Sequence, residues 1–221
     1  MAHVVITGAN RGVGLELARQ FAARGDQVTA VCRSVSDSLK ALDVEIVDGV
    51  DMTDDASVAR LASALKGRAI DILVNNAGVF LDRNDLEHAD LDAIATEFDV
   101  NALGPLRVSR ALLPMMGEGG KIAIISSIRG SLDDTASGGS YGYRMSKAAA
   151  NMAGRTLSVE LAPRGIAVIL LHPGYVATDM TSHQGPVPTH KAAAGIIERI
   201  DALDMEMTGT FWHAEGRHLP W

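Results

Sequence analysis

The chain has 221 residues, of which 47% are hydrophobic and 21% are charged, and this composition excludes disordered and fibrous proteins. A chain of this length can bury a full hydrophobic core. The net charge of −7 and the pI near 5.4 argue against general binding to nucleic acid or to an anionic membrane, because both require a basic surface. The single cysteine, Cys32, lies in an apolar run, which excludes an internal disulfide framework and predicts a buried thiol.

The first residues already resemble a strand, which leaves no room for a signal peptide. No apolar run reaches the roughly 18 residues that a transmembrane helix needs. We therefore expect a cytoplasmic protein without a membrane partner. No linker, repeat or low-complexity tract interrupts the sequence, so we expect a single domain over residues 1–221.

Short apolar runs rich in β-branched residues alternate with amphipathic helical stretches along the whole chain. This alternation predicts an α/β fold, in which a doubly wound parallel sheet has helices on both faces. The runs are apolar continuously, as expected for strands that are buried on both faces. The seven predicted strands are Val4–Thr7, Gln27–Cys32, Val44–Val47, Ile70–Asn75, Lys121–Ser126, Ile166–Leu171 and Gly209–His213.

A glycine-rich turn follows the first strand and leads directly into the first helix, which Gly25 is expected to end. Glycines let the backbone approach a pyrophosphate, whose charge then meets the free amides of the helix N-terminus. The spacing of these glycines, G-x-x-x-G-x-G, is a variant of the usual dinucleotide-binding pattern. The residues predicted to bind a nucleotide here are Gly8, Asn10, Arg11, Gly12, Val13 and Gly14.

The end of the second predicted strand indicates which nucleotide is bound. NAD-preferring proteins place an acidic residue there, against the ribose 2′-hydroxyl. This chain instead has Arg33, whose guanidinium can bind a 2′-phosphate, and Arg11 is expected near the same phosphate. The sequence therefore predicts NADP(H) as the cofactor.

Two further helical patterns follow. The first has an apolar stripe from Val58 to Leu65 and is expected to begin at Thr53. The second runs from about residue 90 to 116 and contains Pro105, which lacks the amide that would bond the carbonyl of Asn101. We expect a kinked helix with a free carbonyl at Asn101, although solvent alone could satisfy that carbonyl.

Tyr143 and Lys147 are four residues apart, so on a helix their side chains lie on the same face. A neighbouring cation stabilises the phenolate, and Lys147 is therefore expected to lower the pKa of Tyr143 toward the range useful for acid–base catalysis. Tyr141 has the uncharged Met145 at the corresponding position and is not expected to act.

The glycine turn, the Asn75-Asn76-Ala77-Gly78 run after the fourth strand and the Tyr143–Lys147 pair together resemble the classical short-chain dehydrogenase/reductase family. The resemblance spans almost the whole chain. It implies a Rossmann-like sheet of seven strands in the order 3-2-1-4-5-6-7, with the cofactor over its carboxyl edge. It also implies that Asn101 helps to relay protons to Lys147 through water. From the sequence itself, Thr189 is expected to be the N-cap of the helix that follows.

The same resemblance assigns further cofactor contacts, one position at a time. Two residues after the third strand match those beside the adenine, three residues of the fourth-strand motif line the cofactor, and four residues after the sixth strand contact the nicotinamide and a phosphate. In this sequence they are Asp51, Met52, Asn76, Ala77, Gly78, Pro173, Gly174, Val176 and Thr178.

The catalytic serine departs from the family pattern. The family usually has it about 13 residues before the tyrosine, where this chain has Gly130. We assign Ser127, at the end of the fifth strand, because strand ends are held more tightly than loops. Ser126 and Ser131 remain alternatives, and no histidine spacing indicates a metal site.

The resemblance implies NADPH-dependent reduction of a ketone or aldehyde to an alcohol, which is reversible, with Tyr143 as the proton donor. The short segment of residues 180–188, the long loop of residues 128–140 and the C-terminal Leu219-Pro220-Trp221 resemble the small carbonyl reductases of the sniffer and C-factor type. An NADP-binding signalling or regulatory protein with little turnover is the alternative. Relatives commonly form dimers or tetramers through the helices that contain Asn101 and Tyr143, so a homodimer is possible.

Overall fold

The computed structural model describes residues 1–221. Its seven strands form one parallel sheet in the order β3-β2-β1-β4-β5-β6-β7, which confirms the predicted topology. The strands are β1 His3–Thr7, β2 Gln27–Val31, β3 Glu45–Val47, β4 Ile72–Asn75, β5 Lys121–Ile125, β6 Ala167–His172 and β7 Thr210–His213. Each lies within two residues of its predicted bounds.

Seven α-helices cover the two faces of the sheet. They are α1 Gly12–Ala23, α2 Asp37–Lys40, α3 Asp55–Ala64, α4 Leu91–Phe98, α5 Gly104–Leu112, α6 Tyr141–Leu161 and α7 Thr189–Ala202. No helix combines the length and hydropathy that crossing a membrane would require.

Alternate residues of the central strands enter two separate apolar clusters. Val4 and Ile6 of β1 pack in the cluster that contains Phe21 of α1 and Ile196 of α7. Val5, which points to the opposite face, packs in the cluster formed with α3, α5 and α6. Because both faces are buried, the strands carry the continuous apolar runs seen in the sequence, and burying a side chain such as Phe21 contributes about 1.5–3 kcal/mol.

Two predicted helix starts shift by one residue. The carboxylate of Asp54, rather than Thr53, caps α3 by accepting hydrogen bonds from the amides of Ala56 and Ser57. Thr53 instead donates to Asp51. The last helix begins at Thr189 itself after an extended Pro188, whose fixed φ suits the residue before a helix.

The long helical pattern that contains Pro105 is also more divided than predicted. It consists of α4, a π-helical segment over Asp99–Leu103 and α5, in which Pro105 occupies the first turn. Proline is tolerated in a first turn because amides there have no partner within the helix. The helix is therefore widened in the turn before Pro105 rather than kinked at the proline, and Asn101 lies within that widened turn.

Candidate active site

The glycine turn and the segment after β4 are joined at the carboxyl edge of the sheet. The Thr7 hydroxyl accepts hydrogen bonds from the amides of Asn76 and Ala77, both at 3.0 Å. The Asn76 side chain donates to the carbonyls of Thr7 and Gly8. Gly14 lies so close to this contact that an added β-carbon would stand 2.3 Å from the Gly8 oxygen. Only glycine fits there, and the packing holds the turn against the N-terminus of α1.

The N-terminus of α1 fits a bound phosphate. Arg11 precedes the helix in an extended conformation, and no side chain caps the first turn. Amides in the first turn of a helix have no partner within the helix and attract anions. Gly12, Val13 and Gly14 form this turn and line a cavity of about 910 Å³. The chemistry and the size of the cavity both fit a dinucleotide.

The two arginines predicted near the 2′-phosphate have different partners in the structure. Arg33 lies 4.0 Å from Asp51, whereas Arg11 forms a 3.0 Å ion pair with Asp179, on the opposite strand-end segment. The pKa of Asp51 is lowered, chiefly by the hydrogen bond from the Thr53 amide and also by the charge of Arg33. Arg33 thus remains beside the predicted adenosine position, and Arg11 connects the glycine turn to the segment after β6.

The three candidate serines differ in the groups that their hydroxyls contact. Ser126 donates to the Asn151 side chain at 2.5 Å, and Ser131 donates to the carbonyl of Trp221 at 3.0 Å, so both hydroxyls are engaged away from the tyrosine. Ser127 instead lies in the cavity wall with Tyr143, where its hydroxyl accepts from the Arg129 amide at 3.2 Å and helps to lower the pKa of the phenol. The geometry therefore favours Ser127.

Gly130 shows why the usual family spacing fails here. An added β-carbon at this position would stand 2.6 Å from the carbonyl carbon of Lys147 and 2.8 Å from the amide nitrogen of Ala148. These are backbone atoms of α6 and cannot move aside easily. A serine cannot occupy position 130 without displacing the loop, which agrees with the prediction that the strand-end Ser127 supplies the hydroxyl.

Burial, rather than Lys147, dominates the pKa of Tyr143. Burial raises the pKa of the phenol, while the nearby Ser127 hydroxyl and the charges of Arg129 and Arg83 lower it. The Lys147 ammonium lies 5.7 Å from the centre of the Tyr143 ring and donates to the Ile125 carbonyl at 2.8 Å. Burial lowers the pKa of Lys147 itself to about 8. The expected lowering of the tyrosine pKa by Lys147 is thus not found in this structure.

Asn101 lies behind the cavity and fixes one of its walls. Its side-chain oxygen accepts from the Val79 amide at 2.8 Å, and its nitrogen donates to the Val79 carbonyl and to the Ser146 hydroxyl. These contacts tie the segment that follows Gly78 to the helix residue next to Lys147. Asn101 is buried and does not line the cavity.

The remaining wall comes from the segment after β6. Val176 forms a bridge with Val187, and a short turn over Asp179–Thr181 follows Thr178. His172 also lines this wall, and burial lowers its pKa to about 3, so the imidazole is neutral near pH 7. A neutral ring at the end of β6 adds no charge to this wall of the cavity.

One cavity collects almost all of the predicted site residues. Of the four predicted catalytic residues, only Asn101 is not part of its lining, and every predicted cofactor-binding residue is included. Tyr141 is outside it, as expected. The lining residues that were not predicted and that bear most on chemistry are Phe80, Arg83 and Arg129. They lie in irregular loops without a repeating pattern, so no sequence signal could have identified them.

A doubly wound sheet with a phosphate-binding turn and a serine–tyrosine pair at its carboxyl edge defines a dinucleotide-dependent oxidoreductase. The chain belongs to the short-chain dehydrogenase family, whose model matches residues 2–187. It is 41% identical to 1-hydroxy-2-glutathionyl-2-methyl-3-butene dehydrogenase from Rhodococcus sp., with all of both chains covered. It is 43% identical to the C-signal protein of Myxococcus xanthus over 69% of this chain and 93% of that protein.

Solved structures agree with this family assignment. The NADPH-bound carbonyl reductase from chicken fatty liver matches with a TM-score of 0.91 and 30% identity, over 100% of this chain and 99% of that one. The carbonyl reductase Sniffer of D. melanogaster matches with a TM-score of 0.92 and 28% identity over the whole of both chains. The predicted likeness to the sniffer and C-factor type is thereby confirmed, and the NADPH in the chicken enzyme agrees with the predicted cofactor.

Proposed function

We propose that this protein catalyses the reversible, NADP(H)-dependent reduction of a carbonyl group to an alcohol, with Tyr143 as the proton donor. One observation carries the proposal: Ser127, Tyr143 and Lys147 line the same cavity that contains the phosphate-binding turn, and the Ser127 hydroxyl is close enough to Tyr143 to lower the pKa of the phenol. A nicotinamide bound in this cavity would supply or accept the hydride at the carbon of the reacting group.

The residues of the chain bind the carbonyl oxygen of the substrate and supply its proton. In the reducing direction the Ser127 hydroxyl donates a hydrogen bond to the carbonyl oxygen, and the Tyr143 phenol transfers its proton to that oxygen as the carbon gains the hydride. Hydride and proton together convert the carbonyl to an alcohol. Lys147 and Asn101, which are linked through Ser146 and the main chain, support the return of a proton to the phenol.

Replacing Tyr143 by phenylalanine tests this role. Tyr143→Phe removes the hydroxyl but keeps the ring that stacks on Phe80 at 4.4 Å, so the cavity should retain its shape. We expect kcat for NADPH oxidation to fall by about 10²–10⁴-fold, the usual contribution of a general acid. NADPH binding, followed by fluorescence titration, should persist.

Tyr141→Phe is the matched control, since it removes the same hydroxyl from a tyrosine outside the cavity. It should leave kcat close to that of the unmodified protein. Undiminished turnover by Tyr143→Phe would remove Tyr143 from the mechanism.

The comparison with C-signal supports the second candidate, an NADP-binding signalling protein with little turnover. Assays with NADPH and NADH over aldehydes, ketones, diketones and quinones distinguish the two functions. The primary alcohol in the Rhodococcus enzyme's name carries a glutathionyl group and would be oxidised to an aldehyde, so aldehyde and ketone conjugates of glutathione belong in the same panel. Tight NADPH binding without turnover of any of these compounds would favour the signalling function.

A further inference from the structure

Two arginines converge on an aromatic ring that lies against the proposed proton donor. The Phe80 ring stacks on the Tyr143 ring, with their centres 4.4 Å apart and their planes inclined by 28°. The guanidinium carbon of Arg83 lies 3.9 Å from the centre of the Phe80 ring, and that of Arg129 lies 5.9 Å from the same centre. Both positive groups are therefore only one ring removed from Tyr143, and both line the same cavity.

Neither guanidinium forms an ion pair, although the chain has 27 acidic and 20 basic residues. None of the ion pairs within 4.0 Å includes Arg83 or Arg129. Asp82 and Glu97 lie near Arg83 and are both buried, and Asp134 shares a small surface pocket with Arg129 without forming an ion pair with it. Glu97 accepts from the amides of Leu81 and Asp82, and burial raises its pKa.

Arg83 is also held in place before any ligand binds. One of its terminal nitrogens donates to the Met180 carbonyl at 2.6 Å, across the cavity from the loop that carries Arg83. The Phe80 face supports the guanidinium plane from one side. The remaining N–H groups of this fixed guanidinium have no acceptor in the protein. The N–H groups of a guanidinium match the two oxygens of a carboxylate, and those of Arg83 are already positioned for binding.

We propose that Arg83 and Arg129 form a carboxylate-binding site beside the catalytic tyrosine, so that the preferred substrate is a ketone or alcohol that carries a carboxylate several bonds from the reacting carbon. The inference rests on the proposed function, because it takes the Tyr143 hydroxyl as the position of the reacting oxygen. Simple keto acids and the glutathione conjugates named above share this chemistry.

Paired substrates with and without a carboxylate provide the test. One pair is 6-oxoheptanoate and its methyl ester. The other is the adduct of methyl vinyl ketone with glutathione and the adduct of the same ketone with N-acetylcysteamine, which has no carboxylate. We expect kcat/KM to be about 10- to 100-fold higher for the charged member of at least one pair, as is usual for a charge-assisted hydrogen bond. The pair that shows the difference identifies the source of the carboxylate.

Variants of the two arginines show whether they cause this preference. Arg83→Ala and Arg129→Ala should each reduce the acid-to-ester ratio of kcat/KM, mainly through a higher KM, because the lost contact exists in both ground and transition states. Arg83→Lys should restore part of the ratio. Arg110→Ala removes an equal charge from an exposed position outside the cavity and should leave the ratio unchanged.

A binding measurement separates this inference from the proposed function. Calorimetric titration of NADP⁺-loaded Tyr143→Phe with each compound reports affinity without turnover. Carboxylate-dependent affinity that is lost in the Tyr143→Phe/Arg83→Ala double variant would support the site even if no compound were turned over. Equal kcat/KM and equal affinity for the charged and uncharged members of both pairs would overturn it while leaving the carbonyl reductase proposal intact.

Discussion

Lys147 occupies an environment that its sequence position does not suggest. Its ammonium group is buried at the end of β5, where the Ile125 carbonyl is its one hydrogen-bond partner in the protein. Burial disfavours the charged form and lowers the pKa from its ordinary 10.5 to about 8. The side chain can therefore exchange a proton near neutral pH, as a proton relay to Tyr143 requires.

This pKa can be measured directly, since the chain has only five lysines. In protein labelled with ¹³C at the lysine side chains, one ε-carbon resonance should titrate near pH 8 and should disappear in Lys147→Arg. The folded protein releases this proton near pH 8 and the unfolded chain near pH 10.5, so the contribution of Lys147 to the free energy of unfolding increases with pH between these values. Titration of all five resonances above pH 10 would contradict this prediction.

At the scale of elements, packing of the β5–α6 loop against α6 positions Ser127 and Tyr143, the proposed catalytic residues. The short turn over Ile128–Gly130 follows Ser127 directly and presses against the backbone of Lys147 and Ala148. This contact sets the distance between the serine on the loop and the tyrosine on the helix. The widened π turn that contains Asn101 serves a comparable purpose, because it brings that side chain to Val79.

We expect Gly130→Ala to separate the loop from α6. The added methyl group would lie 2.6–2.8 Å from helix backbone atoms, and overpacking of this kind typically costs about 1–3 kcal/mol. Because Ser127 would move away from Tyr143, kcat should fall together with the free energy of unfolding, as measured by urea titration and steady-state assay. Gly138→Ala, in the same loop but with open space around it, should change stability by no more than about 0.5 kcal/mol. Equal stability and activity in the two variants would show that the contact does not position Ser127.

At the scale of the whole molecule, one face of the helical layer is unusually apolar. Met145, Met152 and Val159 are exposed and follow one another at seven-residue intervals along α6, so they lie on one face of the helix. The adjacent α4 and α5 layer exposes Phe98 and Leu106. Several exposed apolar side chains on neighbouring helices are a feature of protein–protein contacts.

We therefore expect a homodimer formed through these helices, in line with the possibility raised by the sequence. Met152→Glu would bury a charge at the centre of such an interface and should shift the protein toward monomer in sedimentation velocity. Met205→Glu introduces the same charge at an exposed methionine elsewhere in the chain and should leave the association state unchanged. Sedimentation of the unmodified protein as a monomer at micromolar concentration would exclude this dimer.

The sequence by itself determined the parts of this protein that depend on local patterns. Continuous apolar runs predicted the strands, a glycine turn ahead of a helix predicted the site of the cofactor and a four-residue Tyr–Lys spacing predicted the acid–base pair, since each is encoded within a few consecutive residues. The strand order followed from the family resemblance that these motifs carry. Only the tertiary structure favours Ser127 over Ser126 and Ser131, because the choice depends on which hydroxyl is engaged elsewhere. It also decided the surroundings of Tyr143 and Lys147 and the approach of Arg83 and Arg129, because desolvation and charge contacts arise between segments that are distant in the chain.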